Sequence, residues 1–439
     1  MTQTDDRKRL VIIGGGFGGL EVAKHIDKRK WDVKLIDRNN YHSFPPLFYQ
    51  VASASLEPAA ISFPLRREMR RRSVRGCRFD MGHVRAIDVA AKQIITNYGS
   101  VPYDKVIIAA GAANNFFGNT DIPEKVYTIK SVGQAIRCRN AILSALERAA
   151  LCTDASLRRA LLTFVVIGGG PTGVEIAGAL GEMKRDIVRR DYPRISPDEV
   201  RVVLCEGNDR LLRTMSEASS ADALRDLRKL CVDIRLSTTL TGYDGMTASF
   251  ADGSTLDTAV MIWTAGITGV PIELRGTDIK AGPGGRFAVD EFNRVEGLDD
   301  VYAIGDICAH ADSRYPRGCP QLAQPAIQQG RRLARNLNRP DRARPFVYRD
   351  KGTMATIGRN CAVVDMHGVH FGGWFAWVTW MAVHLISLLG MRNKVIVFLN
   401  WMWNYWGLAT SLRMILHASP LPALSVNEKI KKYCNGIKE

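Results

Sequence analysis

Apolar residues along this chain fall into two kinds of run. The first kind is short and uninterrupted: RLVII at Arg9 to Ile13, and FVVI after Leu162 and Thr163. Runs without polar alternation predict strands covered on both faces, as in a parallel sheet. Each enters a glycine turn and then a helical stretch, Gly19 to Lys28 in the first case. Each is followed by another buried strand, Trp31 to Asp37 in the first case and VRVVLCEG ending at Gly207 in the second. The pattern is a βαβ unit, repeated about 154 residues later. Further apolar strands end in Gly or Ala turns: YDKVIIAAGA at Tyr103 to Ala112, DTAVMIWTAGI at Asp257 to Ile267, and VYAIGDICA at Val301 to Ala309.

The second kind of run is long. From Gly372 to Gly390, nineteen residues carry no charge unless His384 is protonated. Arg392 and Lys394 follow, then VIVFLNWMWNYWGLA and a polar tail with Lys429, Lys431 and Lys432. Six of the eight Trp lie between Trp374 and Trp406, and Trp favours the bilayer interface. Nineteen residues is the short end of a membrane span, so a span and an interfacial helix both stay open at this point.

The glycine turns carry the first chemistry. Gly14, Gly16 and Gly19, with Gly18 between them, form G-x-G-x-x-G at a strand-to-helix turn. The first glycine permits the turn, the second admits a pyrophosphate, and the third lets helix and strand pack. Asp37, eighteen residues past Gly19 at the end of the next strand, is placed to accept from a ribose hydroxyl. Gly168, Gly170 and Gly173 repeat the motif, with Glu206 as the corresponding carboxylate; the intervening RRDYPRISPDE lengthens the spacing. A carboxylate there selects NADH over NADPH, although Arg210 lies close enough in sequence to weaken that selection. Two complete loops imply two dinucleotides, and a resident FAD with a visiting NADH is the natural pair. We assign the turns at Ala110 and Gly111 to the FAD side and Gly266 to the NADH side. The expected fold is α/β, with two Rossmann-like dinucleotide-binding domains and a C-terminal membrane-attachment segment. Residues 1–125 and 285–345 would form a discontinuous FAD domain, 126–284 an inserted NADH domain, and 346–439 the membrane-associating region.

Composition narrows the partners. An apolar share of 46% and a charged share of 24% are ordinary for globular chains, but the net charge is +16. Two windows hold most of it, Arg66 to Arg78 and Arg331 to Lys351, each net +6. Neither has the finger spacing or aromatic interleaving of a nucleic-acid reader, so nucleic acid is not expected and an anionic phospholipid surface is. Nine scattered Cys with no C-x-x-C speak against a dithiol or a zinc cluster, and no metal is expected. The opening MTQTDDRKRL has two Asp and runs directly into a strand, so no secretory leader is expected and the catalytic body should be cytoplasmic.

The two loops, the Gly305–Asp306 pair, NYHSFPPLFYQVASASLEPAAISFPLR at Asn40 to Arg66, LAQPAIQQGRRLARNL at Leu322 to Leu337 and RNKVIVFLNWMWNYW at Arg392 to Trp406 together resemble type II NADH dehydrogenases. These are single-subunit, non-proton-pumping NADH:quinone oxidoreductases. The resemblance spans essentially the whole chain. It implies that Gly305 and Asp306 hold the FAD ribityl and phosphate region. It also implies that Ala323 and Gln324 pack on the isoalloxazine and line a quinone tunnel, with Gln328 one turn later. Glu175 would lie beside nicotinamide and flavin. Lys394 matches, more loosely, a basic residue near the quinone headgroup, with Arg392 as an alternative alignment. The resemblance further implies monotopic attachment at the cytoplasmic face of the inner membrane; a homodimer is left open. Sulfide:quinone and ferredoxin-type reductases share much of this pattern, and Cys308 and Cys319 lie near the flavin segment, but the intact second loop favours NADH and inert cysteines. A flavin- and NADH-binding redox sensor or membrane-associated interaction protein is the rival from another class.

Overall fold

The computed structural model describes residues 7–366, 368–407 and 412–415. The opening residues MTQTDD, the lysines at 429–432 and Cys434 lie outside them. The chain divides into two compact units.

The first unit comprises the residues up to Phe44, Ile61–Asn115 and Gly266–Gly352. Its centre is a five-stranded parallel sheet in the order Val301–Ala303, Lys105–Ile108, Lys8–Ile13, Trp31–Asp37, Cys77–Met81. Leu10, Ile12, Leu35 and Ile107 are wholly inaccessible, as unalternating apolar runs require. The helix after the first loop spans Phe17–His25, starting and stopping earlier than the expected Gly19 to Lys28. It starts directly after extended Gly16 because the glycine loop itself is the turn, and it stops where buried Ile26 turns extended toward the next strand. This helix packs on Ala323–Asn338 at a glycine crossing. A Cβ on Gly330 would lie 2.6 Å from the Gly18 carbonyl oxygen, and Arg331 pairs with Glu21 beside it at 2.6 Å.

The second unit comprises Pro45–Ala60, Phe116–Ala265 and the described residues from Thr353. It repeats the architecture: a parallel sheet ordered Tyr127–Thr128, Val260–Trp263, Thr163–Ile167, Arg201–Cys205, Val232–Arg235. The helix Pro171–Glu182 opens from the second glycine loop and continues as a π-helical turn, Met183–Val188. Against it lies an antiparallel sheet of Thr353–Gly358, Cys361–Met366 and Val369–Gly372. The approach is close: a Cβ on Gly178 would meet the Ile357 carbonyl oxygen at 2.6 Å.

The long apolar run is not one helix. It forms Gly373–Ser387, turns at extended Leu388 and at Gly390 (φ 83°), and resumes as Met391–Gly407. Fifteen and seventeen residues are about 22 and 26 Å of helix, less than the ~30 Å hydrocarbon core. Among the described residues no helix is long and apolar enough to cross a membrane. Trp374, Phe375, Ile386, Met391, Trp403 and Trp406 nevertheless stay between half and three-quarters exposed.

Candidate functional site

The two glycine loops are built alike. In the first unit Gly14 sits at φ 105°, and a Cβ there would lie 2.3 Å from the Ala109 carbonyl oxygen. A Cβ on Gly19 would be 1.9 Å from the Gly14 carbonyl oxygen, whereas one on Gly16 would meet nothing within 4 Å. Two glycines therefore serve the fold, and the third leaves a cradle open. Gly18 faces Ile304 and Ala326 and so serves packing. Asp37 closes the loop: its Oδ2 accepts from the Gly15 N–H at 2.6 Å and its Oδ1 from the Asn39 N–H at 2.7 Å. Burial outweighs these bonds and pushes its carboxyl above the usual range. His42, unremarked in the motif, donates from Nδ1 to the Gly15 carbonyl oxygen at 2.9 Å, and burial lowers it to about 4, so the ring is neutral.

In the second unit a Cβ on Gly173 would be 1.7 Å from the Gly168 carbonyl oxygen, one on Gly168 would press Ala265, and one on Gly170 would meet nothing within 4 Å. Glu206 accepts from the Gly169 N–H at 2.5 Å and from the Asn208 N–H at 2.8 Å. Arg210 is held by the Met215 carbonyl of its own loop and the Ser220 hydroxyl of the following helix, Glu217–Lys229.

The Gly305–Asp306 turn follows the edge strand of the first sheet. Gly305 has φ 74°, and its N–H donates to Gln329 Oε1 at 2.7 Å. Gln329 is wholly buried and was not visible as a site residue, because the two neighbouring glutamines fit the family motif. Gln324 and Gln328 bind a strap of backbone. Gln324 donates to the Gly352 carbonyl at 2.9 Å and accepts from the Lys351 N–H; Gln328 donates to the Arg349 carbonyl at 2.8 Å and accepts from the Arg349 N–H. Ala323 opens their helix without a side-chain cap on its first N–H groups. Ala110 and Gly111 (φ 74°) are part-buried at the end of the neighbouring strand, and nothing lies within 4 Å of a Cβ on Gly111. Gly266 (φ 71°) begins the segment that returns to the first unit.

The second unit also holds a pocket, walled by Phe48–Ala52, one face of the Glu175 helix and the two C-terminal helices. Trp401 donates to Gln50 Oε1 at 2.9 Å, and Gln50 donates to the Tyr49 hydroxyl oxygen at 2.9 Å. Trp380 is edge-on to Tyr49 and stacks on His384 with centroids 4.1 Å apart. Burial pushes the Glu175 carboxyl well above the usual range; the Thr356 backbone N–H and the Trp380 indole oppose the shift without cancelling it. The Trp380 N–H is buried and closes no full hydrogen bond, approaching Glu175 only loosely. The pocket thus joins an aromatic wall, a buried carboxyl whose affinity for a proton burial raises, and a buried N–H without a full partner. Residues 49–50, 175 and 380–401 meet only through tertiary packing, which no local pattern signals.

Lys394 is not among the pocket residues. Its Nζ donates to the Ile386 carbonyl at 2.6 Å and closes the end of the preceding helix. Cys308 and Cys319 are buried, with thiols raised to about 12 and about 11, the opposite of a reactive cysteine's environment. Among the described residues no His, Cys, Asp and Glu cluster fits a metal ion.

Residues 8–330 match the pyridine nucleotide-disulphide oxidoreductase family, and residues 351–406 match the NDH2 C-terminal domain. A type II NADH:quinone oxidoreductase, NdhA, of Mycobacterium tuberculosis is 34% identical, with 92% of this chain and 88% of the relative covered. The internal alternative NAD(P)H-ubiquinone oxidoreductase A1 of Arabidopsis thaliana mitochondria is 28% identical, with 92% and 85% covered. Among solved structures, NDH2 of Plasmodium falciparum in complex with NADH superposes with a TM-score of 0.85 at 20% identity, covering 94% of this chain and all of that one. The sulfide:quinone oxidoreductase of Aquifex aeolicus has the same fold at a TM-score of 0.69 and 18% identity, covering 93% and 96%.

Proposed function

The chain belongs to the type II NADH:quinone oxidoreductases and catalyses that reaction, and from this premise we propose how its own residues divide the work. FAD is the resident cofactor, in the first unit. The fit rests on the open cradle at Gly16 between two glycines that the fold itself requires. Gly14, Gly16, Gly19, Asp37, Ala110, Gly111, Gly305, Asp306 and Ala323 would hold it. Bound there, the flavin would supply the hydride-accepting and electron-donating chemistry that links NADH to the quinone. NADH would use Gly168, Gly170 and Gly173 of the second unit, with Glu206 on the adenosine ribose.

The quinone enters the aromatic pocket of the second unit. The single observation that carries this reading is the buried Trp380 N–H without a full partner, set at the wall of an aromatic pocket beside a buried carboxyl whose affinity for a proton burial raises. The N–H and the protonated carboxyl are donors suited to a carbonyl oxygen. Gln324 and Gln328 hold the Ala323 helix to the 349–352 strap, which would fix Ala323 for the flavin. Lys394 fastens the two C-terminal helices to one another and adds charge at the membrane surface.

Those helices dock on one leaflet at the cytoplasmic face of the membrane, through Trp374, Phe375, Ile386 and Trp403. The Arg windows at 66–78 and 331–351 add attraction to anionic lipid, about 1 kcal/mol for each Lys or Arg near the surface. Binding to vesicles should therefore fall with salt and with removal of anionic lipid. The flavin assignment is tested by releasing and identifying the bound flavin. FAD at about one per chain is expected; FMN, or none after gentle purification, contradicts it.

A further inference from the structure

Quinone reduction by NADH consumes a proton: NADH + H⁺ + quinone gives NAD⁺ + quinol. NADH brings two electrons and one hydrogen nucleus, and the quinol carries away two, so one proton must come from solvent at every turnover. Nothing assigned so far admits it.

One face of the Glu175 helix lines the pocket along its length, with Glu175, Ala179, Glu182 and Asp186 at successive positions of the helical repeat. Glu175 is 8% exposed, Glu182 is part-buried, and the Asp186 side chain is 21% exposed. The three carboxyls thus descend from surface to interior at steps of about 6 and 10 Å along the axis. Asp186 sits in the π-helical turn, an irregularity frequent at functional sites. The pocket also holds a polar group with an open bond, the buried Trp380 N–H, which points to a ligand at its inner end.

We propose that Glu182, fed through Asp186, carries the solvent proton along this face to the Glu175 end of the pocket, where the quinone is reduced. The proposal rests on the reading of this pocket as the quinone site. The O–H bond at Glu182 Oε breaks, water in the pocket carries the proton to the quinone oxygen at the Glu175 end, where the new O–H bond forms, and Glu182 is reprotonated from solvent by way of the Asp186 carboxylate; no other bond changes.

Asp186 is held by the Arg185 guanidinium at 2.9 and 3.0 Å, which with Arg359 and Arg190 keeps its carboxyl below the usual range, so it passes a proton on rather than storing one. Burial pushes the Glu182 carboxyl up, against the Arg359 and Arg185 cations and with Asp186. Tyr49 faces both glutamates from the opposite wall, and Arg413 and Arg359 also border the pocket. Glu182 Oε1 accepts from the Arg359 backbone N–H. Gly358, at φ 126°, leaves room for it, since a Cβ there would stand 3.1 Å from Oε1. Glutamine at 182 can keep that hydrogen bond and cannot relay a proton.

The test charges enzyme with one equivalent of NADH, mixes it with a short-chain quinone in weak buffer, and follows quinone reduction and proton uptake together with an indicator dye. E182Q should slow both by tenfold or more, leave flavin bleaching by NADH within twofold of wild type, and recover in E182D. D186N should slow uptake several-fold and shift its pH profile. In flavin-free protein, the infrared band of a protonated carboxyl should be lost in E182Q. Wild-type proton uptake and pH profile in E182Q overturn the proposal, as does an unchanged infrared spectrum. Equal loss of flavin bleaching in E182Q and E182D assigns Glu182 to structure and also overturns it. The pocket reading is checked apart from this: short-chain quinone should quench Trp fluorescence in wild type and E182Q alike, and absence of quenching in wild type removes the quinone site itself.

Discussion

Gly16 and Gly19 stand three residues apart in one motif, yet the structure gives them different work, and alanine at each should separate folding from cofactor binding. Gly16 has φ −71° and ψ −164°, a backbone that alanine adopts freely, and its added Cβ touches nothing within 4 Å. Gly16→Ala should therefore leave the flavin-free protein as stable as wild type, with a melting temperature changed by about 1 °C or less. The same methyl fills the cradle that a pyrophosphate needs, so flavin occupancy should collapse. Gly19→Ala places a Cβ 1.9 Å from the Gly14 carbonyl oxygen. No rotamer can relieve a contact between Cβ and backbone, and overpacking of this kind costs about 1–3 kcal/mol, at the upper end here. At roughly 2–4 °C per kcal/mol for a unit of this size, the flavin-free melt should drop by about 5–10 °C. The assay is thermal unfolding of flavin-stripped protein, paired with flavin per chain before stripping. The reasoning is refuted if Gly16→Ala keeps a full complement of flavin, or if Gly19→Ala melts like wild type. Gly170 and Gly173 should repeat the contrast, read by NADH binding.

Other substitutions probe the neighbouring contacts. Glu206→Gln removes the charge that anchors the second loop, and the ratio of kcat/KM for NADH over NADPH should narrow by about ten- to a hundredfold, from the ~1.5–3 kcal/mol of a hydrogen bond to a charged group; an unchanged ratio excludes it as the selectivity element. Gln329→Leu strands the Gly305 N–H that Gln329 now receives, which should cost about 1–3 kcal/mol in urea unfolding, and a wild-type midpoint would show that Gly305 finds another acceptor. His42 and His384 are both lowered to about 4 by burial. Between pH 6.5 and 4 the unfolded chain binds the protons that the folded one refuses, so their stabilisation is whole above pH 6.5 and lost as pH falls, by up to ~3 kcal/mol each. His42→Gln should flatten that slope by its share, and a wild-type stability level across this range contradicts the burial of neutral imidazoles.

Much of this was readable from local pattern. The strand at Trp31–Asp37 lies where its apolar run placed it, and both glycine loops meet their carboxylates, because loop, helix and following strand form one contiguous unit. The first helix lies two to three residues earlier than its pattern suggested, since extended glycine decides where a helix begins and the pull of Ile26 into the core decides where it ends. The nineteen-residue apolar run concealed a turn at Leu388, where a following lysine closes the helix end from eight residues away. Gln329 was hidden by two neighbours with a more familiar spacing. The pocket was hidden more deeply: Gln50 and Trp401 bond across 351 positions of sequence, and only the folded chain brings an aromatic wall to Glu175.

The central claim is that one chain couples NADH oxidation to quinone reduction through a bound flavin. Its most direct test is steady-state NADH oxidation by protein of measured flavin content, with and without a short-chain quinone. The account predicts turnover that requires both flavin and quinone and yields one quinol for each NADH. Flavin-replete protein that binds NADH but leaves it unoxidised in the presence of quinone would contradict it.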